Sequence, residues 1–183
     1  MPERDPLANP EPLIRRVYAY AVYRIGDGPD AEDVTSETFA RALRYRESYD
    51  RRKGEPVAWL LGIARRCIDD ALASRATEAE LPEEVAAPGE LEAETIVSLE
   101  LREAVLELDP RDRELIALRY GADLKARQIA ELLGERTNTV EVALHRALRR
   151  LRAALGDEPG VSGTAQEGQP KTDADVEASP SPR

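Results

Sequence analysis

The chain has 183 residues, of which 42% are hydrophobic and 4% aromatic, so it can form one compact domain or two small ones. A single cysteine, Cys67, excludes a disulfide framework within the chain and favours a reducing cytosol. The formal net charge of −10 argues at first against binding to nucleic acid. The N-terminus lacks the apolar run of a secretory signal, and no segment approaches the roughly 20 apolar residues that span a bilayer. We therefore expect no membrane insertion.

The distribution of charge changes the interpretation of the net value. Residues 1–75 carry 13 basic and 13 acidic side chains, and residues 99–156 carry 11 basic and 10 acidic ones. The acidic excess lies in residues 76–98, with seven glutamates and no basic residue, and in residues 157–183. Because the two candidate domains are close to neutral, local patches of charge determine what each domain binds.

Helical spacing of apolar residues predicts three helices in the first half of the chain. Residues 1–12 contain four prolines and are predicted to be irregular. Apolar residues repeat every three or four positions over 13–25, which predicts the first helix. Asp30 is predicted to cap a second helix that runs to about Arg46. A third apolar stripe predicts a helix that ends near Arg75.

The second half of the chain begins with a segment that is not expected to fold. Residues 76–98 are rich in glutamate and contain prolines, so they are predicted to form a flexible acidic linker. A second helical set follows over 99–155, in which Asp109 and Pro110 have the pattern of an N-cap and a first helical residue. Residues 156–183 are predicted to be a disordered tail. These signals predict an all-α fold of two small helical domains with few fixed contacts between them.

Residues 124–144 have the spacing of a DNA-binding helix-turn-helix. Ala130 is small where two helices would cross, Gly134 follows at the turn, and Val140 comes six positions later. One side of the second helix would then face a DNA groove through Thr137, Asn138, Thr139, Glu141, Val142 and Ala143. Four arginines that follow, Arg146, Arg149, Arg150 and Arg152, would meet phosphates. The alternative is an ordinary helical hairpin with a solvated basic face.

Other residues that carry chemistry are few. Asp33 and Glu37 lie four positions apart, so their carboxylates can share one helical face and engage a basic partner, although a solvated acidic face is the alternative. Cys67 falls on an apolar stripe, which favours a small core residue over a redox switch. With one cysteine and one histidine, His145, the chain has no metal-site spacing. We expect no metal, no cofactor and no catalytic residue.

Four segments together resemble the two conserved domains of the extracytoplasmic-function sigma factors, a subfamily of the sigma-70 family. The first domain is indicated by DAEDVTSETFARAL at 30–43 and AWLLGIAR at 58–65. The second is indicated by LDPRDREL at 108–115, together with the helix-turn-helix. Their order, their spacing and the linker between them agree with the family. The resemblance implies a sigma region 2-like domain over 13–75 and a sigma region 4-like domain over 99–155.

The resemblance also implies a function without covalent chemistry. Such a factor is not an enzyme; it binds core RNA polymerase, leads it to promoter DNA and helps to open the strands, and an anti-sigma factor is a further candidate partner. The implied polymerase contacts are Asp33, Ser36 and Glu37. The implied −10 contacts are Tyr49, Arg51, Arg52, Lys53, Trp59, Arg65 and Arg66. The implied −35 contacts are Arg136, Thr137, Asn138, Thr139, Glu141, Val142, Ala143, Arg146 and Arg149. The implied location is the bacterial cytoplasm, and the nucleoid when polymerase is bound.

Two other functions remain open at this point. A helix-turn-helix regulator that acts without polymerase would explain 108–155 but not 13–75. A sigma-like protein-interaction module with weakened DNA reading is favoured by Glu141 and Ala143, which stand where the family commonly has basic residues. For the linker, the resemblance implies passage through the polymerase cleft toward the RNA exit channel, where its glutamates would mimic RNA. The alternative is a soluble tether.

Overall fold

A computed structural model describes residues 5–78 and 99–156, which form seven α-helices and no β-strand. The helices are α1 Pro10–Ile25, α2 Pro29–Arg44, α3 Pro56–Glu78, α4 Leu99–Glu107, α5 Pro110–Ile116, α6 Ala126–Leu133 and α7 Thr137–Ala154. Two 3-10 turns, Arg46–Ser48 and Arg51–Lys53, lie between α2 and α3. A π-helical turn, Ala117–Gly121, continues α5. The all-α prediction is confirmed, with α1–α3 in the first domain and α4–α7 in the second.

Three helix boundaries differ from the prediction. Helix α1 begins at Pro10, inside the segment predicted to be irregular, because proline is compatible with the first helical turn. Gly28, and not Asp30, precedes α2, and Asp30 lies in the first turn, where its carboxylate pairs with Arg75. Helix α3 continues to Glu78, into the predicted linker. The remainder of that linker and the tail after residue 156 lie outside the described residues.

The first domain packs three helices around a continuous apolar core. Tyr20 of α1 and Leu60 and Ile68 of α3 are fully buried, and each such side chain contributes about 1.5–3 kcal/mol through the apolar area that it removes from water. Cys67 is also buried and is a free thiol, and burial raises its pKa. The thiol is therefore protonated at neutral pH, in agreement with its interpretation as a small core residue.

The second domain contains the predicted helix-turn-helix. Ile129 and Ala130 of α6 and Val140 of α7 are buried, α6 packs against α7, and α7 packs against α5. Gly134 has φ of 71°, the left-handed conformation predicted for the turn. Asp109 caps α5, because its Oδ1 accepts hydrogen bonds from the backbone N–H groups of residues 111 and 112.

The two domains are packed against each other, so the expectation of few fixed contacts is wrong. Helix α1 lies along the π-helical turn, and one core contains residues of both domains, including Val17 and Leu118. A Cβ atom at Gly121 would lie 2.9 Å from the backbone oxygen of Ala19, so the two backbones touch where residue 121 has no side chain. Leu124 is fully buried and belongs to this shared core.

Within 5–78 and 99–156, none of the helices combines the length and the apolar character needed to cross a bilayer.

We predict that Asp109→Ala lowers the free energy of unfolding by about 1 kcal/mol, because the N-cap of α5 is lost. The Asp112 N–H, assisted by the Arg111 N–H and by Arg150, holds the pKa of Asp109 below its ordinary value. A lowered folded-state pKa gives stability that is present above the unfolded value of about 3.9 and is lost as the pH falls through the folded value. Urea unfolding at pH 7 and across the acid range measures both effects.

Asp109→Asn is the matched control, since its amide oxygen can still accept the capping bonds. It should retain most of the stability at pH 7 and show a shallower loss below about pH 4 than the wild type. Equal stability of the alanine variant and the wild type would contradict a capping role.

Candidate functional site

An acidic strip, Asp33, Ser36 and Glu37, lies on the exposed side of α2. The three residues are at i, i+3 and i+4, so the helix brings them together as predicted. Glu37 Oε1 accepts a hydrogen bond of 2.6 Å from Arg41 Nε, and Arg41 Nη1 donates to Asp70 of α3 at 2.9 Å. These bonds raise the pKa of Arg41. The strip therefore ends in a fixed Glu37–Arg41–Asp70 bridge, which orients one of its carboxylates.

The opposite side of α2 holds the strip in place. Ala31, Val34, Thr35 and Thr38 are buried toward α1 and α3. The hydroxyl groups of the two threonines donate hydrogen bonds of 2.7 and 2.6 Å to the carbonyl oxygens of Ala31 and Val34. Because these hydroxyls are satisfied within the helix, α2 can bury that side without an unpaired polar group.

A short ordered loop between α2 and α3 presents three adjacent cations. The Tyr49 hydroxyl donates to the carbonyl oxygen of Gly54 at 3.0 Å and closes the loop. Asp50 Oδ1 accepts a hydrogen bond of 2.9 Å from the backbone N–H of Arg52, which caps the 3-10 turn Arg51–Lys53. All three side chains of this turn are exposed. We call residues 49–54 the cation loop.

Two cavities flank the cation loop. The larger one, of about 640 Å³, is lined by the three cations and also by Arg16 of α1 and Arg127 of α6. The smaller one, of about 320 Å³, lies between Tyr49 and Trp59 on one side and Leu132 of α6 on the other. The Tyr49 and Trp59 rings are 5.6 Å apart and tilted by 57°. Trp59 is half-buried, so it contributes to the core and to the cavity wall.

The two arginines expected at the −10 element have different surroundings. Arg66 is exposed beside Trp59 and Gly62, on the surface that adjoins the smaller cavity. Arg65 is half-buried, and its Nε lies 3.0 Å from Oε1 of Glu114 in the second domain. The structure therefore places Arg66 beside Trp59, next to the smaller cavity, and engages Arg65 with Glu114.

The exposed side of α7 carries the predicted −35 residues. Val140, Leu144, Ala147 and Leu151 are buried and recur at helical spacing, so the positions between them face away from the domain. Exposed on or directly before this helix are Arg136, Thr137, Asn138, Thr139, Glu141, Val142, Arg146 and Arg149, whereas Ala143 is half-buried.

Two charged residues on this domain have contacts that the sequence did not reveal. Arg150, expected to meet phosphates, instead pairs with Asp109 and with the buried Asp112, and it ties α7 to the start of α5. Glu135 pairs with Arg111. Local sequence patterns could not predict these contacts, because Arg150 and Asp112 are 38 residues apart and Arg111 and Glu135 are 24 residues apart. Among the described residues, no group of His, Cys, Asp and Glu could hold a metal ion.

Comparison with known protein families finds a match in each half of the chain. Residues 11–78 match Sigma-70 region 2, and residues 98–151 match Sigma-70, region 4. The first match covers α1–α3, including the acidic strip and the cation loop. The second covers α4–α6 and nearly all of α7.

Curated relatives match most of the chain. The chain is 31% identical to ECF RNA polymerase sigma factor BldN of Streptomyces coelicolor, over 78% of this chain and 57% of BldN. It is 30% identical to SigW of Bacillus subtilis, over 78% of this chain and 84% of SigW. It is 32% identical to SigL of Mycobacterium tuberculosis, over 80% of this chain and 85% of SigL.

Among solved structures, the sigma factor RpoE, in its complex with the anti-sigma factor NepR from Bartonella quintana, has a similar fold. The TM-score is 0.66 at 21% sequence identity, over 79% of this chain and 92% of RpoE. The chain contains both sigma-70 regions, with region 2 before region 4. It matches SigW and SigL over more than four fifths of their length. The chain belongs to the extracytoplasmic-function RNA polymerase sigma factors of the sigma-70 family.

Proposed function

We propose that this protein binds core RNA polymerase, directs it to promoters with −35 and −10 elements, and assists strand opening there. The observation that carries the proposal is the presence of both sigma-70 domains on one chain. A regulator acting on DNA alone would need the helix-turn-helix but not the first domain. Sigma factors carry no catalytic site of their own, so family membership supports the expectation of a protein that is not an enzyme.

The acidic strip is the proposed contact with polymerase. Asp33, Ser36 and Glu37 are exposed together, and two carboxylates on one helical face complement a basic surface such as the clamp helices of the largest subunit. Association through such charges is fast and depends on salt, because exposed charges interact over about 10 Å at 0.1 M ionic strength.

The cation loop and the smaller cavity are the proposed site for the melted −10 strand. A base that leaves the duplex needs an apolar or aromatic surface, and the Tyr49 and Trp59 rings, 5.6 Å apart, supply one. The cations at 51–53 would hold the phosphates of the same strand. Arg66 borders this surface and can reach the neighbouring backbone.

The exposed side of α7 is the proposed −35 reader. Its first turn carries Thr137, Asn138 and Thr139, which can reach base edges when the helix enters the major groove. Arg146 and Arg149 lie further along the same helix and are proposed as phosphate contacts. Glu141 can accept a hydrogen bond from the amino group of a cytosine, so it can contribute to base specificity. Its negative charge also repels phosphate.

The proposed partners are core RNA polymerase and promoter DNA, with an anti-sigma factor as a third candidate. The solved complex of RpoE with NepR, whose sigma factor has the same fold, supports that candidate. The proposed location is the bacterial cytoplasm, at the nucleoid once polymerase is bound.

Run-off transcription tests the function. Core polymerase with this protein should start transcripts at specific promoters of genomic DNA, and core polymerase alone should not.

We predict that Asp33→Arg with Glu37→Arg weakens polymerase binding by more than tenfold, since two attractions become repulsions. The control pair Glu11→Arg with Glu47→Arg makes the same change in net charge at exposed positions outside the strip. Equal affinity of the two double variants for polymerase would exclude the strip as the contact.

The −10 proposal predicts that Tyr49→Ala impairs strand opening more than polymerase binding. Loss of one stacked base costs about 1–3 kcal/mol, which is roughly a fivefold to 150-fold loss of open complex. Permanganate reactivity of unpaired thymines in the −10 region measures the open complex. Tyr49→Phe keeps the ring and removes the hydroxyl that donates to Gly54, so it should retain opening. A phenylalanine variant as defective as the alanine variant would rule out stacking.

The −35 proposal predicts separate roles along α7. Arg146→Ala should weaken promoter binding on all sequences alike and reduce the slope of log affinity against log salt by about 1. Asn138→Ala should instead change which bases are preferred, with little effect on that slope. Titrations of holoenzyme on a set of −35 variants at several salt concentrations measure both. A changed sequence preference in Arg146→Ala would reverse the two roles.

A further inference from the structure

The larger cavity beside the cation loop is not the pocket used in the −10 proposal. That proposal places a base against Tyr49 and Trp59, and Trp59 lines the smaller cavity but not the larger one. The larger cavity has a volume of about 640 Å³, within the range of about 300–1,000 Å³ that is usual for small-ligand sites. Its walls come from α1, the cation loop, the start of α3 and α6.

The walls of this cavity carry an excess of positive charge. The two carboxylates that line it are Glu55 and Glu131, and the five cations are Arg16, Arg51, Arg52, Lys53 and Arg127. Glu131 is already paired, because its Oε1 accepts a hydrogen bond of 2.9 Å from Arg127 Nε. Four lining cations then remain against one carboxylate, in a chain whose net charge is −10. Because a cavity lined mainly by one sign of charge focuses the electric field, it concentrates small anions.

Arg16 is held in place without being neutralised. Its Nε donates to the carbonyl oxygen of Ala122 at 2.7 Å, and its Nη2 donates to that of Asp123 at 3.0 Å. Both acceptors are uncharged, and Arg16 forms no ion pair within the part of the chain that the structure describes. The residue is half-buried, so water screens its charge less than it screens an exposed one. An anion in the cavity would therefore be attracted strongly to this guanidinium.

The three loop cations are consecutive and lie on a backbone that is already ordered. Asp50 caps their turn, and the Tyr49 hydroxyl closes the loop on Gly54. Less conformational entropy is lost on binding when the loop is ordered beforehand. The side chains at 51–53 are exposed, and among the described residues none of them forms an ion pair. Their charges are therefore available to a ligand.

This arrangement suits a ligand with several phosphate groups. Arg16 and the loop cations can together neutralise three or four negative charges, more than a single carboxylate or phosphate carries. Guanidinium groups bind phosphate oxygens in pairs through charge-assisted hydrogen bonds. A nucleoside triphosphate and inorganic tripolyphosphate share this chemistry. The nucleotide also carries a base, which can pack against the apolar surface of Leu13 and Tyr49 in the same cavity.

We propose that the larger cavity binds the triphosphate group of a small molecule, with Arg16 and the three loop cations around its oxygens. The inference goes beyond the proposed function and does not depend on it, because it concerns the protein without polymerase or DNA. Since the −10 proposal assigns the loop cations to strand phosphates, the small molecule and the strand compete for them.

Isothermal titration calorimetry of the full chain tests the site with two probes, ATP and sodium tripolyphosphate, at about 0.15 M salt without divalent cations. At least one probe should bind saturably with one equivalent per chain, and inorganic phosphate at the same ionic strength should not. At about ten times the Kd, that probe should raise the midpoint of thermal unfolding by about 3–6 °C. At least tenfold tighter binding of ATP identifies a nucleotide whose base contributes, and equal binding identifies the polyphosphate alone.

Charge reversal in the loop tests the assigned residues. Arg51→Glu with Lys53→Glu should weaken binding by more than tenfold, because two attractions become repulsions. The matched control, Arg44→Glu with Arg46→Glu, makes the same change in net charge at exposed positions that do not line the cavity. It should change the affinity less than about threefold, since salt screens exposed charges over about 8 Å.

Glu131→Gln should have the opposite effect. It removes a carboxylate from the wall and releases Arg127, so the affinity should rise about twofold to fivefold. The Arg127–Glu131 pair is exposed, so its loss should change the stability little. A purely structural role of Glu131 would not tighten binding when its charge is removed. Circular dichroism of each variant confirms that its helices are retained.

The outcomes separate this inference from the proposed function. Saturable binding that the loop reversal weakens and Glu131→Gln tightens supports the site. Three results would overturn it: no saturable binding of either probe up to about 1 mM, phosphate binding as tightly as the probes, or equal losses in the loop variant and its control. None of them affects the proposed function, which run-off transcription tests separately. Absence of promoter-specific transcripts alongside triphosphate binding overturns the function and leaves the site.

Discussion

Burial of α1 on two sides is the constraint on which the rest of the structure depends. One side of this helix packs against α2 and α3, and another packs against the π-helical turn that follows α5. Tyr20 is fully buried between them, and burial, with the adjacent Glu114 carboxylate, raises the pKa of its hydroxyl. The hydroxyl therefore remains protonated and can donate to Glu114. A helix shared in this way brings residues of both domains into one apolar core.

Charge is divided between the interior and the surface according to role. Buried ionisable groups, such as Glu114 and Asp112, have partners from other helices and determine how elements fit together. The groups proposed to meet polymerase or DNA are exposed and cluster by sign, with acid on α2 and base on the cation loop. Arg65 is intermediate between the buried and the exposed charged residues. Its half-buried guanidinium pairs with Glu114 and could instead pair with a phosphate.

Local patterns predicted the helices, the cap at Asp109 and the positive φ of Gly134, because each depends on residues within a few positions of one another. The acidic strip and the exposed side of α7 were also predictable, since helical periodicity alone places their members together. The contacts of Glu114 and Arg150 could not be predicted, because their partners are distant in the chain and a single charged residue does not indicate its partner. The start of α1 at Pro10 was missed because proline both ends helices and begins them.

The double burial of α1 also has a consequence for synthesis on the ribosome. Tyr20 and its partner Glu114 are separated by 94 residues. At roughly 5–20 residues per second, the first domain is complete several seconds before the segment that covers the second side of α1 emerges. During that interval the nascent chain exposes an apolar strip of α1 that includes Val17. The first domain must therefore be stable enough to tolerate this exposure, or a chaperone must cover the strip until translation reaches Leu124.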